Sequence, residues 1–94
     1  MKLRVQYMAQ LRTAIGCSEE ERELSDGASL AELLSQLAAS HGADAGKHLF
    51  TAAGQVQPSL MIAVNGTASP TRNVAEIALR CGDVVTLMPP IAGG

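Results

Sequence analysis

The most conspicuous candidate for chemistry in this sequence is its carboxyl end, LMPPIAGG, residues 87–94. Two terminal glycines add nothing to a hydrophobic core and are costly to order. The group that they offer for chemistry is the carboxylate of Gly94. Because glycine has no Cβ, Gly93 and Gly94 are thin enough to present that carboxylate inside the active site of another protein.

A free carboxylate is a poor electrophile, because the anion repels nucleophiles and oxide is a poor leaving group. Conversion to an acyl-adenylate removes both obstacles but requires ATP. The sequence contains neither the GxxxxGK[ST] loop nor the GxGxxG fingerprint of nucleotide-binding proteins. We therefore expect a separate enzyme to activate Gly94 with ATP, and no cofactor bound by this chain. On this interpretation the protein is a carrier and a substrate, not an enzyme.

Two cysteines and two histidines are the other reactive side chains. Cys17 and Cys81 do not form a CxxC pair, and neither His41 nor His48 has a zinc-finger spacing to them. The sequence therefore predicts no metal site. Cysteine often serves as a small buried hydrophobic residue, so two reduced thiols without a relay role are expected. His41 is expected at the carboxyl end of a helix, where positive charge is favourable.

The composition excludes several classes of function. The length of 94 residues predicts one domain, 1–94, with a modest core. Seven basic and nine acidic residues, with no basic run, argue against nucleic-acid binding. No apolar stretch is long enough for a membrane span, and Arg4 and Gln6 interrupt any signal peptide. We therefore expect a cytoplasmic protein with neither a nucleic-acid nor a membrane partner.

Alternation of apolar and polar residues predicts the strands that position the tail. In the first strand Leu3, Val5 and Tyr7 share one face. A weaker second strand, closed by the turn signal Asp26-Gly27, can pair back on the first as a hairpin. An Asn-Gly turn follows the third strand, and a proline pair ends the last one, because proline cannot donate to a sheet ladder. The predicted strand segments are 2–8, 20–27, 59–66 and 81–88.

One amphipathic helix is the clearest element of the sequence. Ser29 and Glu32 form a capping box, and Gly42 is the natural stop. Between them an apolar stripe repeats with helical spacing. Its members are Leu30, Leu33, Leu34, Leu37 and Ala38. The segment 9–16 predicts a further short helical turn that ends at Gly16.

Two regions have weaker patterns. Residues 43–58 predict three small turns at Gly46, Gly54 and Pro58, with one helical turn over 47–50 whose Leu49 and Phe50 plug the end of the core. Residues 67–79 fit either a short edge strand followed by a loop or a helical turn over 74–79. The predicted fold is therefore α+β, with one main helix on one face of a mixed sheet of four to five strands.

Three methionines fall on the sheet face away from the helix, namely Met8, Met61 and Met88. Flexible thioethers on neighbouring strands are typical of an adaptable partner-binding surface, although isolated exposed apolar residues are also common. Adjacent first and last strands would place Met8 beside Met88. Arg12 follows the first strand and is a candidate to pair with acidic groups of a partner, although a solvated surface arginine is the simpler interpretation.

Residues 89–94 are predicted to form an extended, flexible tail. The two prolines favour a polyproline exit, and six residues in that conformation reach roughly 18 Å. Ile91 is the only sizeable apolar anchor in the tail. The residues expected to thread a partner's channel are Pro89, Pro90, Ile91, Ala92 and Gly93.

Four short motifs identify a family. They are AQLR at 9–12, VNG at 64–66, GDVVTLMPP at 82–90 and the terminal AGG at 92–94. With these motifs the sequence resembles the ThiS/MoaD group of ubiquitin-like sulfur carriers over nearly its whole length, most closely the small subunits of molybdopterin synthase. The resemblance implies a β-grasp fold, which agrees with the layout above.

The resemblance also implies a mechanism and partners. An activating enzyme would adenylate Gly94, a persulfide donor would replace AMP, and the resulting thiocarboxylate would donate sulfur to a pterin precursor for the molybdenum cofactor. The tail would enter the large subunit of molybdopterin synthase, with two carriers on one dimeric large subunit, a heterotetramer. Met8 and Met88 match positions where apolar residues of the family face partners.

Some features depart from the molybdopterin pattern. Cys81 stands where the family usually has an acidic residue, and residues 43–58 are longer than in compact carriers, as is the stretch after Asn65. The added length is similar to that of carriers for cysteine synthesis. A sulfur carrier for cysteine, thiamine or tRNA thiolation therefore stays open. So do a ubiquitin-like modifier conjugated through Gly94 and an interaction domain with an idle tail.

Overall fold

The computed structural model describes residues 1–89 as a mixed five-stranded sheet with helices packed on it. In chain order the strands are β1 (Lys2–Tyr7), β2 (Glu19–Glu23), β3 (Met61–Val64), β4 (Thr67–Ser69) and β5 (Val84–Met88). The helices are α1 (Ala9–Ile15), α2 (Leu30–His41) and α3 (Ala43–Leu49), and a 3₁₀ helix spans Thr71–Glu76.

The sheet order is β2-β1-β5-β3-β4, which places β5 in the centre. β1 and β5 run parallel, whereas the other neighbouring strands are antiparallel. The predicted pairing of the first two strands and the adjacency of the first and last strands are therefore both confirmed. Since β5 is central, the chain leaves the sheet from between β1 and β3.

The core is aliphatic and lies between the sheet and α2. Alternate residues of β1 and β5 point into it, as the period of two predicts. The leucines of α2 meet them from the other layer. Its fully buried large side chains are Leu3, Val5, Tyr7, Leu11, Leu30, Leu33, Leu34, Leu37, Leu49, Val85 and Leu87.

The local signals at the ends of the elements are also confirmed. The Ser29 hydroxyl accepts a hydrogen bond from the Glu32 N–H at 3.2 Å, which caps α2. Gly16 ends α1 in the left-handed region, with φ of 94°. Asn65 and Gly66 have φ of 51° and 83°, as a two-residue hairpin turn with positive φ at both positions requires.

The predicted turn at Gly46 is wrong, because this glycine lies inside α3. Helix α3 buries Ala45 and Leu49 completely, and Gly46 faces Ala38 of α2. This packing outweighs the low helix propensity of glycine. The predicted helical turn over 47–50 is thus part of a longer helix, and Phe50 caps it in an extended conformation, half-buried against the core.

In the region 67–79 the edge strand is confirmed, and the helical turn predicted over 74–79 is present as a 3₁₀ helix over Thr71–Glu76, three residues earlier. The 3₁₀ helix begins directly after Pro70 and places Val74 in the core. Residues 77–79 are instead drawn to the start of α2. The Leu30 N–H donates to the Ile77 carbonyl and the Leu79 N–H to the Ala28 carbonyl, both at 2.9 Å. These partners are distant in sequence, so the local pattern did not indicate them.

Candidate partner-binding face and tail root

The end of β5 is the point from which the tail leaves the sheet. Met88 is the last residue of β5, and Pro89 after it is buried. The predicted tail residues Pro90, Ile91, Ala92 and Gly93 and the predicted reactive residue Gly94 lie outside the described part of the chain. The site that can be examined is therefore the surface around the tail root.

The three methionines meet at this root and are named here the methionine patch (Met8, Met61 and Met88). Met61 and Met88 are cross-strand partners on β3 and β5. On the other side of β5, the Met8 N–H donates to the Leu87 carbonyl at 3.0 Å. Met61 is 47 % exposed and Met8 38 %, whereas Met88 is partly buried between them. The structure therefore places the three methionines, which parity assigned to the outer face, at neighbouring backbone positions around the end of β5.

A shallow groove of about 600 Å³ adjoins the patch on the side of β4. Its lining comes from β3 and the residues before it and from β4 and the residues after it. The apolar members include Pro58, Leu60, Met61, Ile62 and Pro70. The groove extends the apolar surface from the centre of the sheet towards its β4 edge, which the sequence pattern did not indicate.

Arg12 lies close to the patch, on the exposed side of α1. Its Nε donates a long hydrogen bond of 3.5 Å to the carbonyl of Tyr7, the residue before Met8. The guanidinium group therefore lies next to the residue that precedes Met8, and within residues 1–89 it forms no salt bridge. The geometry agrees with both interpretations made from the sequence.

The other half of the outer face is polar. Arg4 on β1 pairs with Glu19 of β2 at 2.9 Å and with Glu21 at 3.7 Å. Next to them the Thr86 hydroxyl donates to the Gln6 side chain at 3.2 Å. The outer face thus changes from charged over β2 and β1 to apolar over β5 and β3.

A cluster of four polar side chains on the inner side of β2 was not predicted from the sequence. The Tyr7 hydroxyl donates to Glu20 Oε2 at 2.7 Å, and His41 Nε2 lies 2.6 Å from the same oxygen. Arg22 Nε is 2.8 Å from Glu20 Oε1. His41 is the last residue of α2, as predicted, so this cluster fastens the end of the main helix to the edge strand. The alternation of β2, which turns Glu20 and Arg22 inward, was the one signal available.

The cysteines are separate and form no disulfide in the structure. Cys17 is partly buried against the core, and Cys81 is exposed in the turn before β5. Within residues 1–89, no three His, Cys, Asp or Glu side chains are arranged to hold a metal ion. None of the helices in the same residues is long and apolar enough to cross a membrane.

Comparison with known proteins identifies the family. The model of the ThiS family matches residues 5–94. The fold and the match together define a small ubiquitin-like sulfur carrier, a class of non-catalytic proteins. The chain belongs to the ThiS family.

Two relatives match over their whole length and that of this chain. A molybdopterin synthase sulfur carrier subunit of Chlamydomonas reinhardtii is 33 % identical over 94 residues. Small archaeal modifier protein 3 of Haloferax volcanii is 29 % identical over 94 residues. The chain is thus similar to a protein named as a sulfur carrier and to one named as a modifier.

A solved structure supports the fold. The crystal structure of SAMP1 from Haloferax volcanii superposes with a TM-score of 0.89, at 21 % identity and with full coverage of both chains. The predicted ubiquitin-like β-grasp fold is confirmed, and the five strands of its mixed sheet agree with the four to five that were predicted.

Proposed function

We propose that this protein is the sulfur carrier of molybdopterin synthesis and that Gly94 carries the sulfur. The observation that carries the proposal is the similarity, over all 94 residues, to a molybdopterin synthase sulfur carrier subunit. The family match includes the terminal Ala-Gly-Gly segment. The position of β5 supports it, because this central strand ends at Met88, beside Met61 of the methionine patch, so the tail begins next to an apolar surface.

The proposed chemistry takes place at the Gly94 carboxylate in an activating enzyme. The carboxylate attacks the α-phosphate of ATP, and pyrophosphate leaves. The terminal sulfur of a persulfide then attacks the acyl carbon and displaces AMP. A thiol next reduces the acyl disulfide, which leaves the thiocarboxylate. Sulfur is a better nucleophile than the carboxylate oxygen, so this end can attack an activated carbon of a pterin precursor.

The proposed docking surface for partners is the methionine patch with Arg12 at its side. Met8 and Met61 offer exposed thioethers, which adapt to different partner surfaces. The activating enzyme and the large subunit of molybdopterin synthase both need the tail, so we propose that each covers the patch while the tail enters its active site. Two carriers on a dimeric large subunit would form a heterotetramer in the cytoplasm.

Intact-mass measurement of the protein purified from its own cells is the direct test. The expected result is an oxygen-to-sulfur mass increase that fragmentation assigns to Gly94. If the carboxylate is unmodified, the protein is incubated with ATP, an activating enzyme and a persulfide donor, since thiocarboxylates hydrolyse. Failure to form the thiocarboxylate under those conditions contradicts the proposal.

The modifier function is a second candidate, because the chain is 29 % identical to small archaeal modifier protein 3. A modifier would join Gly94 to lysine side chains of other proteins through isopeptide bonds. Tryptic peptides with a lysine linked to the remnant CGDVVTLMPPIAGG, residues 81–94, which trypsin releases by cleavage after Arg80, would support that function. Co-purification of the pterin-binding large subunit, without such remnants, would favour the sulfur carrier of molybdopterin synthesis over the other pathways.

A further inference from the structure

Strand β2 forms one edge of the sheet, and the direction of its peptide groups can be read from the ladder with β1. At one end the Tyr7 N–H donates to the Ser18 carbonyl, and at the other the Leu24 N–H donates to the Met1 carbonyl. Hydrogen-bonding residues alternate along an antiparallel pair. The even-numbered residues of β2 therefore point their peptide groups at β1, and the odd-numbered ones point away from the sheet.

The odd-numbered residues of β2 are Glu19, Glu21 and Glu23. The carbonyl of Glu23 accepts a hydrogen bond from the Gln36 side chain at 3.0 Å, so α2 closes this end of the edge. On the outward side, the peptide groups of Glu19 and Glu21 make no hydrogen bond with any other residue of the range 1–89. This part of the edge is open to a further strand.

The side chains of the same three glutamates are exposed on the outer face of the sheet and border the open edge. The cations that balance part of their charge, Arg4 and Lys2, stand on β1, away from the edge. The three glutamates of β2 thus outnumber the two cations of β1 by one charge. A strand added at the edge would lie next to the glutamates and not next to the cations. The charge of this edge favours a positively charged occupant.

We propose that the β2 edge binds an extended segment of another protein that carries lysine or arginine at alternate positions. The segment would add a strand beside β2, with main-chain hydrogen bonds to Glu19 and Glu21 and with its basic side chains opposite the glutamates. A second copy of this chain is disfavoured as occupant, because pairing of two β2 strands sets glutamates against each other. This surface is separate from the methionine patch and does not depend on the chemistry of Gly94.

The probe for this proposal is the synthetic peptide acetyl-Thr-Lys-Val-Lys-Val-Lys-amide, titrated into the isotope-labelled full chain and followed by nuclear magnetic resonance. The expected result is a change in the amide signals of residues 19–23 and slower hydrogen exchange of the Glu19 and Glu21 N–H groups. Binding should weaken as salt is raised. Changes confined to another surface, or no binding, would overturn the proposal.

Two control peptides separate strand addition from simple charge attraction. The first has glutamate in place of lysine, and the second keeps the lysines but is N-methylated at alternate peptide nitrogens. Neither should bind at β2. If the N-methylated peptide binds as well as the parent, the attraction is only electrostatic and strand addition is wrong.

A pair of variants tests the position of the charges. Glu21→Gln should weaken binding of the parent peptide about threefold, as expected for the loss of one cross-strand charge pair. Glu76→Gln removes the same charge from an exposed position outside β2 and should leave binding unchanged. Equal effects of both substitutions would contradict the proposal, as would a dimer formed through β2. Thiocarboxylate formation at Gly94 is measured separately by mass, so failure of one proposal does not imply failure of the other.

Discussion

The side-chain amide of Asn65 donates a hydrogen bond of 2.9 Å to the carboxylate of Asp83, although the two residues are 18 positions apart. The carbonyl oxygen of the same Asn65 side chain accepts from the Val84 N–H at 2.9 Å. The other carboxylate oxygen of Asp83 accepts from the Arg80 N–H at 2.8 Å. These bonds join the β3–β4 turn to the start of β5, so the VNG and GD motifs are in direct contact in the fold.

Loss of this junction should destabilise the fold modestly. Asp83→Ala removes two exposed acceptors, and we expect the free energy of unfolding to fall by about 1 kcal/mol. Asn65→Gly is the matched partner variant, since glycine keeps the positive φ without the side chain. The double variant should lose less free energy of unfolding, measured with urea, than the sum of the losses of the two single variants. Strict additivity would show that the two side chains do not act together.

Deletion of Gly94 should abolish thiocarboxylate formation and leave the melting temperature unchanged. Adenylation requires the terminal carboxylate to extend far enough to enter the active site of the activating enzyme. The melting temperature should not change, because the described core extends only from Leu3 to Leu87. A second variant, with one alanine added after Gly94, lengthens the tail instead of shortening it and should also fail to form the thiocarboxylate. Mass measurement after reconstitution reports the first effect and calorimetry the second. A large thermal shift would mean that the terminus also stabilises the fold.

A charge in the methionine patch should weaken partner binding without unfolding the protein. Met61→Asp and Met88→Asp each place a carboxylate where a partner would bury it, and we expect about tenfold weaker binding, or ~1.4 kcal/mol. Ala39→Asp on the exposed side of α2 is the control and should bind normally. Titration calorimetry with the activating enzyme measures the affinities. Unchanged affinity for both methionine variants would remove the patch from the interface.

The stability of the protein should fall as the pH rises above about 10, the ordinary pKa of tyrosine. Burial, followed by the hydrogen bond to the Glu20 carboxylate, raises the pKa of Tyr7 far above its ordinary value. A raised pKa in the folded state favours the protonated form, so stability is complete below the pKa of the unfolded chain and is lost above it. The titration of Tyr7 can be read from tyrosinate absorbance, because the chain has one tyrosine and no tryptophan.

Tyr7→Phe is the control for this dependence. It should lower stability at neutral pH by about 1 kcal/mol, because the hydroxyl bond to Glu20 is lost. Above the tyrosine pKa its stability should fall less steeply than that of the wild type. If the stability of the two proteins falls in parallel as the pH is raised, Tyr7 is not the source of the loss of stability at alkaline pH.

The sequence by itself determined the elements whose signals are local. Period-two alternation marked β1, β3 and β5, the leucine stripe and the Ser29 cap marked α2, and the pair Asn65-Gly66 marked the hairpin. Strand parity also placed the three methionines on the outer face. These features depend on side-chain spacing and on backbone preferences within a few residues, so they can be read without knowledge of the distant contacts.

Only the tertiary structure decided the features that depend on distant partners. Helix α3 continues through Gly46 because it packs against α2, and residues 77–79 are extended because they pair with the start of α2. The contacts of Glu20 with Tyr7 and His41 likewise join residues 13 and 21 positions apart. Burial and hydrogen bonding between separate segments fix these features, and no local pattern of residues records which segments will meet.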